Sequence, residues 1–254
     1  MTTSPFFSII TASFNSEKTI AATIQSVLDQ SFTDFEYVII DGDSSDGTLV
    51  IIKSFEQNFQ NKNVTYTYIS EKDKGIYDAW NKGLALSKGN WISFLGSDDE
   101  YLPDALQLYH DKICVSDINY ISSQVELVNR HKKRLSVFGK PFVWEKLIHG
   151  MDTAQVGSLH KRELFDQVGN FDVQYRIVGD LDFYFRCKDV IRPEYIAAIT
   201  AKMQNEGVSN QIYKALREAL QVKLHYRYAP AAVSYFEFYR SLLKCYIKIA
   251  FKKK

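Results

Sequence analysis

Two aspartates, Asp98 and Asp99, stand side by side in the segment FLGSDDE, directly after the apolar run WISFL. Adjacent carboxylates at the end of a buried strand repel each other and resist desolvation, so they call for a cation. Oxygen ligands suit Mg²⁺ or Mn²⁺, and a diphosphate can complete the coordination of either ion. The competing reading is a plain turn leading into a helix over residues 103–111. A second acidic cluster, DGDSSDGT, follows the apolar run FEYVII. Asp41 stands where that run ends, and a carboxylate there can accept hydrogen bonds from a nucleobase N–H or a ribose hydroxyl. Asp46 suits the start of the following helix instead. The third cluster is RIVGDLDFYFR. Asp182 and Arg186 are four residues apart and can pair along a helix. Asp180 has no such partner, and a carboxylate at the mouth of a site can take the proton of an incoming hydroxyl.

These residues must be placed by the elements before them. Apolar, β-rich runs predict strands over residues 6–12, 35–40, 64–69 and 91–95. Apolar residues at helical spacing predict helices over 17–30, capped by Asn15 or Ser16, and over 48–59 and 75–87. Strand and helix therefore alternate, which implies a mostly parallel, doubly wound α/β sheet. Ligands bind such sheets beyond the carboxyl ends of the strands, where residues 11–15, 41–46 and 97–100 all fall. The second half is less regular: strands over 118–128, 135–138 and 195–200, and helices over 161–168, 181–188, 211–228 and 234–251. Trp80 and Trp91 suit core positions. His160 reads as a satisfied polar residue rather than a ligand.

Exclusions follow from what the 254 residues lack. No Gly-x-x-x-x-Gly-Lys-Ser/Thr loop occurs and no Gly-x-Gly-x-x-Gly follows the first strand, which argues against phosphate-loop hydrolysis and dinucleotide-dependent redox chemistry. Three cysteines without Cys-x-x-Cys spacing argue against a disulfide scaffold or zinc knuckle and fit a reducing compartment. The start MTTSPFFSII lacks a basic region and a cleavage site, and no run approaches the roughly 18 apolar residues of a membrane span. The expectation is a cytoplasmic protein. The net charge of +1 is uneven: residues 208–254 carry ten Lys/Arg against Glu218 and Glu237. A basic tail on an acidic body points to an anionic surface.

Taken in order, SIITASFN, DGDSSDGT, EKDKGIYDAWNKGLALSKGNWISFLGSDDEYLP, VGSLHKRELFDQVGNFD and GDLDFYFR resemble the family 2 glycosyltransferases, which have the glycosyltransferase A fold. The nearest flavour is bacterial enzymes that build O-antigen, capsule or exopolysaccharide. The resemblance runs collinearly over residues 6–186, with a weak echo at GVS, 207–209. It implies that Thr11 and Ser13 line a nucleotide pocket and that Asp41 or Asp43 reads uracil or thymine. It places Asp73, Gly75 and Asn81 beside the diphosphate and sugar. It gives Asp98 a contact with ribose or metal, Asp99 the metal, and Asp180 the role of general base. The chain departs from the family pattern at Gly96 and Gly179, where many members carry an acid, and at Gly42, where the turn often reads Asp-Asp.

The resemblance implies inverting transfer of a sugar from a UDP or dTDP donor, with Mn²⁺ or Mg²⁺, to a glycan or lipid-linked acceptor, and no nucleic-acid partner. Competing readings are a sugar nucleotidyltransferase, which typically needs a glycine-rich basic loop that SFNSEKT lacks, and a non-catalytic nucleotide-binding module. Residues 1–207 form the expected catalytic domain, with a nucleotide half (1–100) and an acceptor half (101–207). Residues 208–254 form a basic helical appendage. Its last helix carries Tyr235, Phe238, Tyr239, Leu242, Leu243, Tyr246, Ile249 and Ala250 on one side. Glu237, Arg240, Ser241, Lys244, Lys248 and Lys252 oppose them. That pattern suits an interfacial helix on the inner membrane face, but equally a helix docked on this protein's own sheet, or a homodimer contact.

Overall fold

The structure, a computed structural model, describes residues 4–205, 212–227 and 229–252, the last five by backbone alone. The GVS segment, the expected boundary at residue 207, and Lys253 and Lys254 lie outside the described residues, as do the side chains of Lys248, Ile249, Ala250 and Lys252.

In chain order the elements are β1 (Phe7–Ser13), α1 (Ile20–Leu28), β2 (Phe35–Asp41), α2 (Thr48–Ser54), α3 (Glu56–Asn61), β3 (Thr65–Ser70), α4 (Ile76–Leu86), β4 (Trp91–Phe94), β5 (Glu100–Tyr101) and α5 (Ala105–Ile113). There follow β6 (Tyr120–Val128), β7 (Arg134–Phe138), β8 (Ser158–Lys161), α6 (Arg162–Val168), α7 (Gly179–Arg186), β9 (Pro193–Gln204), α8 (Ile212–Tyr226) and α9 (Ala231–Lys252). The sheet has the order β3-β2-β1-β4-β8-β6-β9-β5, with β7 on β6. β3, β2, β1 and β4 are parallel. β8 then runs antiparallel between β4 and β6, and β9 returns parallel to β6.

Helices cover both faces, as the doubly wound expectation required. Side chains alternate along a strand, so Phe7, Ile9, Tyr37 and Ile39 pack with Ile20, Ile24 and Val27 of α1 and Leu106 and Tyr109 of α5. Ile10, Val38 and Ile40 face the other way, onto Tyr77, Trp80 and Leu84 of α4 and Leu181 and Phe183 of α7. Both faces of β1 and β2 are thus buried, which explains why their sequences are nearly continuous apolar runs. Trp80 and Trp91 are core residues. His160 is fully buried, with Nε2 3.1 Å from the Tyr184 hydroxyl; burial pushes its imidazole down to about 3, so it stays neutral.

Three local expectations fail for physical reasons. The helix expected over 48–59 breaks at Phe55, where the Ser54 hydroxyl donates to the Ile51 carbonyl at 2.7 Å and competes with the backbone ladder. Neither Asn15 nor Ser16 caps α1 through its side chain. Asn15 Oδ1 accepts the Ser45 N–H at 2.9 Å, and the Ser16 hydroxyl lies 2.8 Å from that of Ser97. Both side chains instead tie the loop after β1 to the acidic turns. The sequence pattern does not mark β5 and β8 as strands: β5 is two residues long, and SLHK has no apolar alternation.

Candidate active site

The parallel register sets the first part of the site. Ser13 of β1 stands opposite Asp41 of β2, and Asp41 opposite Ser70 of β3. Asp41 is fully buried. Its carboxylate accepts the Ser44 N–H at 3.0 Å, the Ser44 hydroxyl at 2.5 Å and the Ser70 hydroxyl at 2.6 Å, so it braces the turn. Asp43 is exposed, in the left-handed region at φ 64°. Ser13 Oγ is buried without a hydrogen-bond partner among the described residues. Thr11 lies deeper, its hydroxyl 3.0 Å from that of Tyr37.

Asp73 crosses to this turn from the loop after β3. Its Oδ1 accepts the Gly75 N–H at 2.7 Å, and its Oδ2 lies 2.6 Å from where a Gly42 Cβ would stand. The second residue of the turn is thus glycine, and the Asp73 carboxylate fills its space. The Asn81 amide exchanges two hydrogen bonds with the Phe171 backbone, at 2.8 and 3.1 Å. It fastens α4 to the chain leading into α7.

The acidic turn after β4 shows the same substitution of space. A Cβ at Gly96 would meet Asp99 Oδ2 at 2.6 Å and Asp98 Oδ1 at 3.1 Å, so both carboxylates converge where the family's usual side chain would be. Burial, and then the charge of Asp98, push the Asp99 carboxyl up to about 8; burial also raises Asp98. The Gln204 N–H donates to Asp99 Oδ1 at 3.0 Å. Two converging, desolvated carboxylates fit a divalent cation. Among the described residues no third His, Cys, Asp or Glu joins them.

Asp180 is the second residue of α7. Its Oδ1 accepts the Leu181 N–H at 2.8 Å and the Tyr77 hydroxyl at 3.2 Å. Burial raises this carboxyl to about 6 despite those hydrogen bonds. A Cβ at Gly179 would strike the Tyr77 ring at 2.9 Å, so Tyr77 occupies the place of the acid that many family members carry. Asp182 pairs with Arg186 at 3.1 Å, as the spacing required, and Asp46 accepts the Thr48 N–H at 3.0 Å.

The structure therefore draws Ser13, Asp41, Asp73 and Gly75 together, links them to Asp98 and Asp99 through Ser16 and Ser97, and links α4 to Asp180 through Tyr77. It leaves Thr11 in the core and Asn81 as a fastener. The sequence clusters do not single out Tyr77, which reaches Asp180 from α4.

A sheet of this order with an acidic pair at its carboxyl edge has the glycosyltransferase A architecture. The family model described as glycosyl transferase family 2 matches residues 8–168, and the chain belongs to that family. It is 31% identical over 216 residues to a PGL/p-HBAD biosynthesis glycosyltransferase of Mycobacterium bovis, covering 82% of this chain and 80% of that one. It is 26% identical over 253 residues to the Escherichia coli UDP-Glc:alpha-D-GlcNAc-diphosphoundecaprenol beta-1,3-glucosyltransferase WfgD, covering 97% and 94%. Among solved structures, S. aureus TarS 1-349 in complex with UDP-GlcNAc has the same fold, with TM-score 0.67, 19% identity, and coverage of 93% and 71%. This chain spans 42% of the longer TarS chain. The Pyrobaculum calidifontis mannosyltransferase PcManGT in complex with GDP-Man and Mn²⁺ likewise matches, with TM-score 0.67, 14% identity, and coverage of 97% and 76%.

Proposed function

We propose that this glycosyltransferase moves a sugar from a UDP or dTDP donor to a hydroxyl of a glycan or lipid-linked acceptor, with inversion at the anomeric carbon. The observation that carries this reading is the convergence of Asp98 and Asp99 on Gly96, just past the carboxyl end of β4, beside β1, whose last residue Ser13 has an Oγ with no hydrogen-bond partner among the described residues. Asp99 and Asp98 would hold Mn²⁺ or Mg²⁺, which stabilises charge on a departing diphosphate when bound. Ser13, Asp43, Asp73 and Gly75 form the nucleotide and sugar rim, with Asp41 bracing it. Asp180, kept partly protonated near pH 6 by burial, takes the acceptor proton as the oxygen attacks the sugar from the face opposite the leaving group. A covalent enzyme intermediate is not needed. WfgD is named for a UDP-sugar donor and a diphosphoundecaprenol-linked acceptor, which supports the same classes here. The test is calorimetric titration of UDP and dTDP with and without Mn²⁺. Metal-enhanced binding of one of them is expected; no binding of either under both conditions would contradict the reading.

The acceptor class bears on α9. Its outward row is Val233, Tyr235, Phe236, Tyr239, Leu243, Tyr246 and Ile247, with Phe236 64%, Tyr239 64% and Tyr246 70% exposed. The expected stripe is corrected in part: Phe236 and Ile247 join it, while Phe238 and Leu242 are half-buried. Ser234 and Glu237 face inward, Glu237 reaching His149 at 3.2 Å and pairing with Arg240. The apolar row is therefore not docked on the protein's own sheet. Both acids of the tail are used internally, leaving its positive charge for an outside partner. Among the described residues no helix is long and apolar enough to cross a membrane. An anionic bilayer, peripheral to a cytoplasmic enzyme, fits this face. Flotation with phosphatidylglycerol vesicles at low salt is expected to recover the wild type and to lose F236S/Y246S. Equal recovery of both proteins, or salt-insensitive self-association of the wild type without vesicles, would remove the bilayer as the partner and, in the second case, put a homodimer in its place.

A further inference from the structure

Residues 176–178 lead the chain into α7. Their three successive backbone N–H groups all donate to one atom, Oε2 of Glu218 in α8, at 3.1, 2.9 and 3.2 Å. Consecutive N–H groups converging on a point make an anion-binding nest, and here an internal carboxylate fills it. The same helix grips α7 further along. The Tyr226 hydroxyl donates to Asp182 Oδ1 at 2.9 Å, and the Tyr226 ring stacks on Phe185 with centroids 5.6 Å apart. The first of the tail helices is therefore stitched to the segment carrying Asp180, and it fixes the backbone of Arg176.

The Arg176 side chain lies across Gly75. A Cβ on Gly75 would stand 3.0 Å from its Nη1 and 3.6 Å from its Cδ, and Gly75 itself is held at φ 115° with its N–H on Asp73. Two residues further on, Tyr77 donates to Asp180. Arg176, like Arg130, Arg162, Arg217 and Arg227, forms no ion pair among the described residues; what sets it apart is its place against Gly75, whose N–H is held by Asp73 of the acidic rim. An open guanidinium fork matches two oxygens of a phosphate, and such charge-assisted bonds are about twice as strong as neutral ones. The glycine leaves the guanidinium room, and the Glu218 clamp spares it the entropy of holding its own backbone still.

We propose that Arg176 is a phosphate-binding side chain of this site and that Glu218 is the residue positioning it. The proposal rests on the nucleotide-sugar reading above. Two sources supply such a phosphate: the donor's diphosphate, and a phosphate on a lipid-linked acceptor.

The test titrates UDP and UMP, each with Mn²⁺, into wild type and R176Q, then geranyl diphosphate into both proteins saturated with UDP. If the donor is the source, R176Q weakens UDP by about tenfold, the scale of a lost charge-assisted pair, and leaves UMP nearly unchanged. If the acceptor is the source, both nucleotides bind as in wild type and geranyl diphosphate binding is lost. Wild-type affinity of R176Q for all three ligands overturns the proposal while leaving the nucleotide-sugar reading standing; a wild type that binds no UDP contradicts that reading instead, and this proposal with it. E218A should reproduce the R176Q loss in part, and E218Q should restore it, since the amide oxygen can accept the same three N–H groups. An E218A protein with wild-type affinities removes the positioning role.

Discussion

Replacing Asp180 with Asn is expected to lower turnover by about 10²-fold or more, the usual scale for losing a general base, with UDP affinity close to wild type. The amide keeps the shape and can still accept from Leu181 and Tyr77, but it cannot take a proton. The pH dependence gives an independent check. Burial raises the Asp180 carboxyl to about 6, above the ordinary aspartate value near 4. A base acts only when ionised. Turnover should therefore be high above pH 6 and fall as pH drops through about 6, rather than holding until about pH 4. Normal sugar transfer by D180N, with D182N inactive, would move the base to Asp182, whose carboxylate is already engaged by Arg186 and Tyr226.

Asp99→Ala has the second large expected effect. The loss removes one of two converging carboxylates, and with it a ligand for the divalent ion that would offset the charge of a diphosphate. UDP binding in the presence of Mn²⁺ should weaken by about tenfold or more, and the difference between titrations with and without Mn²⁺ should vanish. Asp99 also accepts the Gln204 N–H, so Asp99→Asn serves as a control: its amide oxygen can keep that contact while the charge is lost. Unchanged UDP affinity and unchanged Mn²⁺ dependence in both variants would remove Asp99 as a metal ligand.

The nucleotide half was legible because each of its central strands is buried on both faces, which writes it as a nearly continuous apolar run ending in polar residues. Ile9 and Ile10 face opposite cores, yet both must be apolar. The second half was less legible because its burial is partly polar: in β8, Ser158 and His160 are buried through hydrogen bonds to Tyr120 and Tyr184. The acidic clusters mark the candidate site in the sequence, but their supports are not marked. Tyr77 meets Asp180 across 103 residues, and Glu218 meets Ile177 across 41, and no local spacing encodes such a contact. At Gly42, Gly96 and Gly179 the chain departs from the family pattern in sequence. In space, Asp73 fills the room at Gly42, Asp99 at Gly96 and Tyr77 at Gly179, which only the folded chain reveals.

The most direct test of the central claim is the identity of the nucleotide released when the protein, with Mn²⁺, is given a panel of UDP- and dTDP-sugars and a bacterial lipid extract. The account predicts release of the nucleoside diphosphate together with a glycosylated acceptor of inverted anomeric configuration. Release of pyrophosphate, or a product that retains the donor's configuration, would contradict it.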